Sequence, residues 1–411
     1  MGVASILEVL AHPQELVALV QYKLNDRPVV HDGLSPTMAR CYELLNLTSR
    51  SFAAVIQRLD GDLRAAICIF YLVLRGLDTI EDDMTIEKSR KIPLLREFHT
   101  FIGQAGWTFR ESGPNEKDAI LLVQFDQVVT EFLALKPLYR ETIADITKRM
   151  GAGMSEFLDK EVVTKSEWDL YCHYVAGLVG IGLAKLFSQS GMEDDVIGKD
   201  ERLANSMGLF LQKVNIIRDY REDIDQGRIF WPREVWSKYA RELGDFKRPE
   251  NRVAALACLN ELITDALHHI PDVFTFMSRI RNQSIFNFCA IPQVMAVATL
   301  ALCFNNYDVF QKVVKIRKGL AVTLITQATS MQALTAIFAD HVAILDAKIP
   351  AVETPVFVTR DVVLRVRKQC LGGAMGSRGA LSSASSFVAI AIVAAMAAAI
   401  YMIASAAQRS S

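Results

Sequence analysis

The run Ala65-Ala66-Ile67-Cys68-Ile69-Phe70-Tyr71-Leu72-Val73-Leu74-Arg75-Gly76-Leu77-Asp78-Thr79-Ile80-Glu81-Asp82 is apolar as far as Leu74 and then closes on acid. It reads as a buried helix. Steps of three and four residues put Asp78, Glu81 and Asp82 on one helical face. The same design returns downstream. Gly208-Leu209-Phe210-Leu211-Gln212-Lys213-Val214-Asn215-Ile216-Ile217 leads into Arg218 and then Asp219-Tyr220-Arg221-Glu222-Asp223. Each Asp-x-x-Glu-Asp copy is expected inside a helix. Two buried helices that end in carboxylates predict an all-α domain in which the acid faces are two walls of one cavity.

Three like charges on one face repel each other unless a cation sits among them. Hard oxygen ligands suit Mg²⁺, which favours phosphate oxygens as its remaining ligands. The implied substrate is a diphosphate. A solvated acidic face is the competing reading, and the apolar run before each copy weakens it. Arg75 and Arg218 stand just upstream of the two motifs, where each can pair with a carboxylate or a phosphate.

Composition narrows the classes. The chain has 411 residues, 51% of them hydrophobic, and a formal net charge of −1. A sizeable core is available, and no basic stripe with interleaved aromatics points to nucleic acid. The cysteines Cys41, Cys68, Cys172, Cys258, Cys289, Cys303 and Cys370 are scattered and mostly inside apolar runs. They read as free thiols in a reducing compartment, with no zinc spacing. His268-His269 is a poor metal site, because adjacent helical residues point apart. Residues 1–10 carry no basic region before their apolar stretch, so no signal peptide is expected.

Nearly all of residues 36–345 reads as about a dozen helices. Breaks are expected near Gly103–Gly113, Lys136-Pro137, Gly191–Asp200, Arg228–Pro232 and Lys247–Asn251. The expected organisation is an N-terminal segment 1–35, one catalytic domain 36–348, a linker 349–386, a transmembrane anchor 387–404 and a tail 405–411. The linker carries Pro350, Pro355 and a Gly/Ser-rich stretch. The run from Phe387 to Ala404 is free of charge and would span ~27 Å as a helix, close to the ~30 Å bilayer core. Arg360, Arg365, Arg367, Lys368 and Arg378 precede it and only Arg409 follows, which keeps the main domain in the cytosol. A buried Ala-rich helix is the alternative. A second apolar stretch, Phe286 to Phe304, holds Asn287, Pro292 and Gln293 and reads as a core helix along the cavity.

Basic candidates for a diphosphate are Arg50 in Ser49-Arg50-Ser51-Phe52, then Arg75, Arg218, Arg221 and Arg228. A further cluster is Lys312, Lys315, Arg317 and Lys318, whose plain reading is a solvated basic face. Tyr171-Cys172-His173-Tyr174 precedes the small stretch Val175 to Gly182. There Gly177 and Gly180 allow another helix, or an apolar ligand, to approach closely. Tyr171 is either a proton acceptor or donor beside a phosphate, or simply packed. Phe52, Tyr71, Phe286 and Phe288 either face an apolar chamber and steady carbocations, or belong to the core.

Taken together, these stretches resemble the squalene synthases, the farnesyl-diphosphate farnesyltransferases. The matching segments are Ser49 to Phe52, Leu72 to Asp83, Tyr171 to Gly182, Gln212 to Asp223, Phe230-Trp231-Pro232, Arg281 to Gln293 and Val314 to Gly319. The resemblance covers roughly residues 36–345. It implies a single helical isoprenoid-synthase domain with a central cavity and a C-terminal transmembrane helix. Two farnesyl diphosphates would join head to head to presqualene diphosphate, which NADPH would reduce to squalene. By the same resemblance Asp78, Glu81, Asp82, Asp219, Glu222 and Asp223 hold Mg²⁺. Tyr171 is the candidate base that removes a proton as the ring closes, and Asp219 and Asp223 count with it among the catalytic residues. Arg50, Arg75, Arg218, Lys315 and Arg317 grip NADPH and phosphate, and Phe52 and Phe288 steady the cation. The expected setting is the endoplasmic reticulum membrane, with a monomeric catalytic domain facing the cytosol. A phytoene synthase-like condensation without reduction and an inactive membrane-tethered scaffold are the alternatives.

Overall fold

Apolar residues at three- and four-residue spacing fold as helix across the whole central stretch. The computed structural model describes residues 12–25, 33–350 and 356–374, and among these there is no β-strand. The described residues hold twenty α-helical elements, more than the dozen or so expected from the hydrophobic pattern. The excess comes from short pieces such as Ala119–Val123, Asp195–Lys199 and Arg233–Trp236, which sit inside the predicted breaks or beside them.

The helices that position the site are α1 (Pro13–Asn25), α2 (Leu63–Asp82), α3 (Lys165–Cys172), α4 (Leu178–Gln189), α5 (Glu201–Arg218), α6 (Tyr220–Asp225), α7 (Gln283–Cys303), α8 (Lys318–Gln327), α9 (Met331–Ala347) and α10 (Val356–Ala374). Helix α2 runs along the centre, with Leu63, Ala66, Ile67, Phe70, Val73, Leu77 and Ile80 all buried. Helix α7 is long and apolar enough to cross a membrane, and so is the continuous stretch Lys165–Gln189. Seventy-two percent of the apolar window of α7 is buried inside the protein, which makes it a core helix.

The small stretch after Tyr171 is answered by α5. A Cβ on Gly180 would lie 2.4 Å from the Ala204 carbonyl oxygen, and one on Gly208 would lie 2.3 Å from that of Ala176. Only glycine lets these two backbones meet. Gly208→Ala is therefore expected to destabilise the fold by about 1–3 kcal/mol. Chemical denaturation checks this, and an unchanged midpoint would show that the helices can part at no cost.

One sequence expectation changes here. The stretch 349–386 was expected to be linker throughout, yet α10 occupies Val356–Ala374 and packs on α9. Thr359, Val362, Val363, Val366 and Cys370 supply its buried face, a helical repeat that the flanking Pro and Gly residues obscure. The N-terminal stretch 1–35 contributes α1, which packs on α8. The predicted anchor 387–404 and tail 405–411 lie outside the described residues.

Candidate active site

Both acid motifs line one polar chamber of about 340 Å³. Asp78, Glu81 and Asp82 come from the last turn of α2, and Asp219, Glu222 and Asp223 from the α5–α6 junction. The second motif does not run inside one helix as expected. Asp219 sits at φ −90°, ψ 9° between α5 and α6, so the helix breaks at the first carboxylate and restarts at Tyr220. The Asp223 N–H still donates to the Asp219 carbonyl at 2.9 Å, which keeps the turn closed.

Among the described residues no three such side chains converge closely enough to hold a metal ion alone. The clusters face each other across open space instead. That suits Mg²⁺ arriving with a diphosphate and taking most of its other ligands from phosphate and water. The charge state agrees. Burial pushes the Asp78 carboxyl up to about 7 against the pull of Arg75, with Asp82 adding to the rise. Burial, then Asp82 and Asp78, push Glu81 up to about 8. Burial, opposed by Arg228, pushes Asp223 up to about 6. Burial thus keeps these carboxyls partly protonated near neutral pH, and an arriving cation would favour their ionised, ligating form.

Those cations are already engaged. Arg228 bridges the two walls, donating from Nη1 to Asp82 Oδ1 at 2.9 Å and from Nη2 to Asp223 Oδ1 at 3.0 Å. Arg218 grips its neighbour Asp219 with two bonds, at 2.7 and 2.6 Å. Arg75 Nε donates to Asp118 Oδ2 at 2.9 Å, and Asp118 is buried. Arg317, which immediately precedes α8, is paired with Glu15 of α1. Lys315 is exposed in the segment before α8. Lys315 and Arg317 are absent from the linings of both chambers, whereas Arg75 and Arg218 line the polar one. Arg50 opens the short helix Arg50–Ile56.

Tyr171 closes the floor of the polar chamber. Thr164 and Glu167 form a reciprocal capping box that starts α3. Lys213 of α5 is 2% exposed and lies 2.6 Å from both Asp169 of α3 and Asp265, which fixes α3 against α5. Directly after Cys172 the chain widens into a π-helical turn, His173–Gly177. Such turns commonly re-aim side chains at functional sites. Tyr171 stacks on Phe230 with centroids 5.0 Å apart and planes at 17°. Burial, reinforced by Glu81, holds its phenol well above the ordinary value of 10.

An apolar chamber of about 560 Å³ adjoins the polar one, and both share Arg75, Asp78, Val175, Gln212 and Asn215. Phe52 and Phe288 both line it, Phe52 beside Tyr71 and Phe288 edge-on to Phe187. Phe286 does not, because two residues along a helix it points to the other side, into the core. Sequence reasoning missed Asp118 and the part played by Phe230, and placed Gln293 on the cavity helix without giving it a role. No periodic or charge signal marks them.

Comparison with known proteins gives the family. The squalene/phytoene synthase family matches residues 45–319. Human squalene synthase is 56% identical over 367 residues, 88% of each chain. The squalene synthase of Schizosaccharomyces pombe is 52% identical over 335 residues, 79% of this chain and 73% of its own. The solved structure of TcSQS with a ligand superposes with a TM-score of 0.80 at 42% identity, covering 82% of this chain and 99% of the other. With its two carboxylate walls and all-helical frame, the chain belongs to the squalene/phytoene synthase family, among the squalene synthases.

Proposed function

We propose that the chain joins two farnesyl diphosphates head to head to presqualene diphosphate and then reduces that intermediate to squalene with NADPH. The observation that carries this is the junction of the two chambers: carboxylates where diphosphates must sit, opening through Asp78 and Val175 onto an apolar space. Asp78, Glu81, Asp82, Asp219, Glu222 and Asp223 are the residues to hold Mg²⁺, which when bound neutralises a departing diphosphate. Arg228, Arg218 and Arg75 would turn from their carboxylate partners to phosphate oxygens. Tyr171 remains a phenol at neutral pH. It therefore accepts the proton lost on ring closure only as its own passes to a diphosphate oxygen.

The apolar chamber keeps water from the carbocation. Phe52 and Phe288 offer their ring faces to it. NADPH, when bound, would supply the hydride. Its phosphates suit the Lys315–Lys318 segment by charge, with Arg317 exchanging Glu15 for phosphate and Arg50 adding to the grip. The apolar run 387–404 would hold the chain on the endoplasmic reticulum membrane as a monomer facing the cytosol, where an apolar product can enter the bilayer.

The test is a product assay on a salt-washed membrane fraction, with farnesyl diphosphate and Mg²⁺, with and without NADPH. Squalene is expected only with NADPH, in the pellet. A C20 substrate preference removes the proposed reaction, and activity released by salt removes the anchor.

A further inference from the structure

The apolar chamber contains one amide that packing does not explain. Gln293 on α7 is 2% exposed, and its Oε1 is enclosed without a hydrogen-bond partner. An amide oxygen left so carries the full cost of its lost hydration. Leu or Met would fill a similar volume without that cost.

Its placement shows what it can meet. Gln293 lines the chamber with Phe288, Cys289 and Pro292, the positions that share one face of α7. Pro292 has no N–H, so it withholds from the Phe288 carbonyl the donor a helix normally supplies. This wall thus adds the Gln293 amide beside an aromatic ring, in a chamber whose polar groups Arg75, Asp78, Gln212 and Asn215 stand where it meets the polar one.

The chemistry of the chamber selects among uses for that amide. On the proposed reading, a C30 carbocation forms there once the second diphosphate leaves. A carboxylate at this position would act as a base and strip a proton to give an alkene. An amide oxygen is neutral and far less basic, so it can attract the charge without ending it. The enclosed Oε1 is held by no hydrogen bond, so rotation of the amide can bring it to the chamber surface. A cation in the chamber therefore draws the oxygen toward itself.

We propose that Gln293 is a cation-facing residue of the second half-reaction, whose amide oxygen steadies the C30 carbocation until hydride transfer. This rests on the squalene-forming activity proposed above. The test uses the full chain with Gln293→Leu and Gln293→Met, supplied with farnesyl diphosphate, Mg²⁺ and NADPH, and resolves the C30 products by mass spectrometry. Both variants are expected to melt higher than the parent. Both should divert on the order of tenfold more product into unreduced C30 alkenes and alcohols. Met matches Gln in length, so it carries the test if Leu disturbs folding. An unchanged product ratio in a folded variant overturns the assignment of Gln293 alone. No C30 product from the parent chain overturns the reaction itself, and the assignment with it.

Discussion

Asp78→Asn is expected to raise the melting temperature of the metal-free protein while cutting turnover by about 10²–10³-fold. The two effects share one cause. Burial, against Arg75 and with Asp82, lifts the Asp78 carboxyl from the ordinary 3.8 to about 7. Below the ordinary value the folded and unfolded chains both hold the proton, and its stabilising contribution is fully present. As pH rises the unfolded chain releases it first, so that contribution is lost as pH climbs through about 7. Glu81, lifted to about 8, extends the same loss. The metal-free protein should thus weaken steadily from acid to mildly alkaline pH. Asn cannot ionise and removes one part of the loss, on the order of 2–4 kcal/mol near neutral pH. It also removes a ligand for the cation. Thermal unfolding against pH, with and without Mg²⁺, reads both consequences. A variant that melts lower, or that still turns over, would remove Asp78 from the cation site.

Tyr171→Phe should fold normally and lose about 10²–10⁴-fold in presqualene diphosphate formation. Only the hydroxyl leaves. The ring keeps its stack on Phe230 and its contact with Phe157, so the chamber floor stays in place. Farnesyl diphosphate binding should therefore persist while kcat falls. The burial that holds the phenol protonated makes it a relay rather than a standing base. Its loss should not be recovered by raising the pH. Rapid-quench kinetics on the first half-reaction separate these terms. Equal loss of binding and rate would assign Tyr171 to packing, and recovery at high pH would assign the proton to another group.

Much of this site was legible before any coordinates. Both acid faces follow a helical repeat, and a repeat is visible in one dimension. The close approach at Gly180 was legible too, because glycine announces missing bulk, although not which partner would use it. Other features depend on contacts between distant segments. Asp118 meets Arg75 from another element, and Glu15 reaches Arg317 across most of the chain. Local propensity also misled. The break at Asp219 follows a strongly helical run, and only the junction of α5 and α6 shows it. The isolation of Gln293 is a property of everything around it, and no spacing rule encodes that.

The bridge made by Arg228 means that the enzyme at rest carries a counterion of its own. Its guanidinium ties Asp82 to Asp223, so the two walls share one positive charge. Substrate arrival is then an exchange of partners rather than an addition of charge. Any replacement at position 228 acts twice, once on the free protein and once on the loaded one. The affinity it changes is the difference between the two.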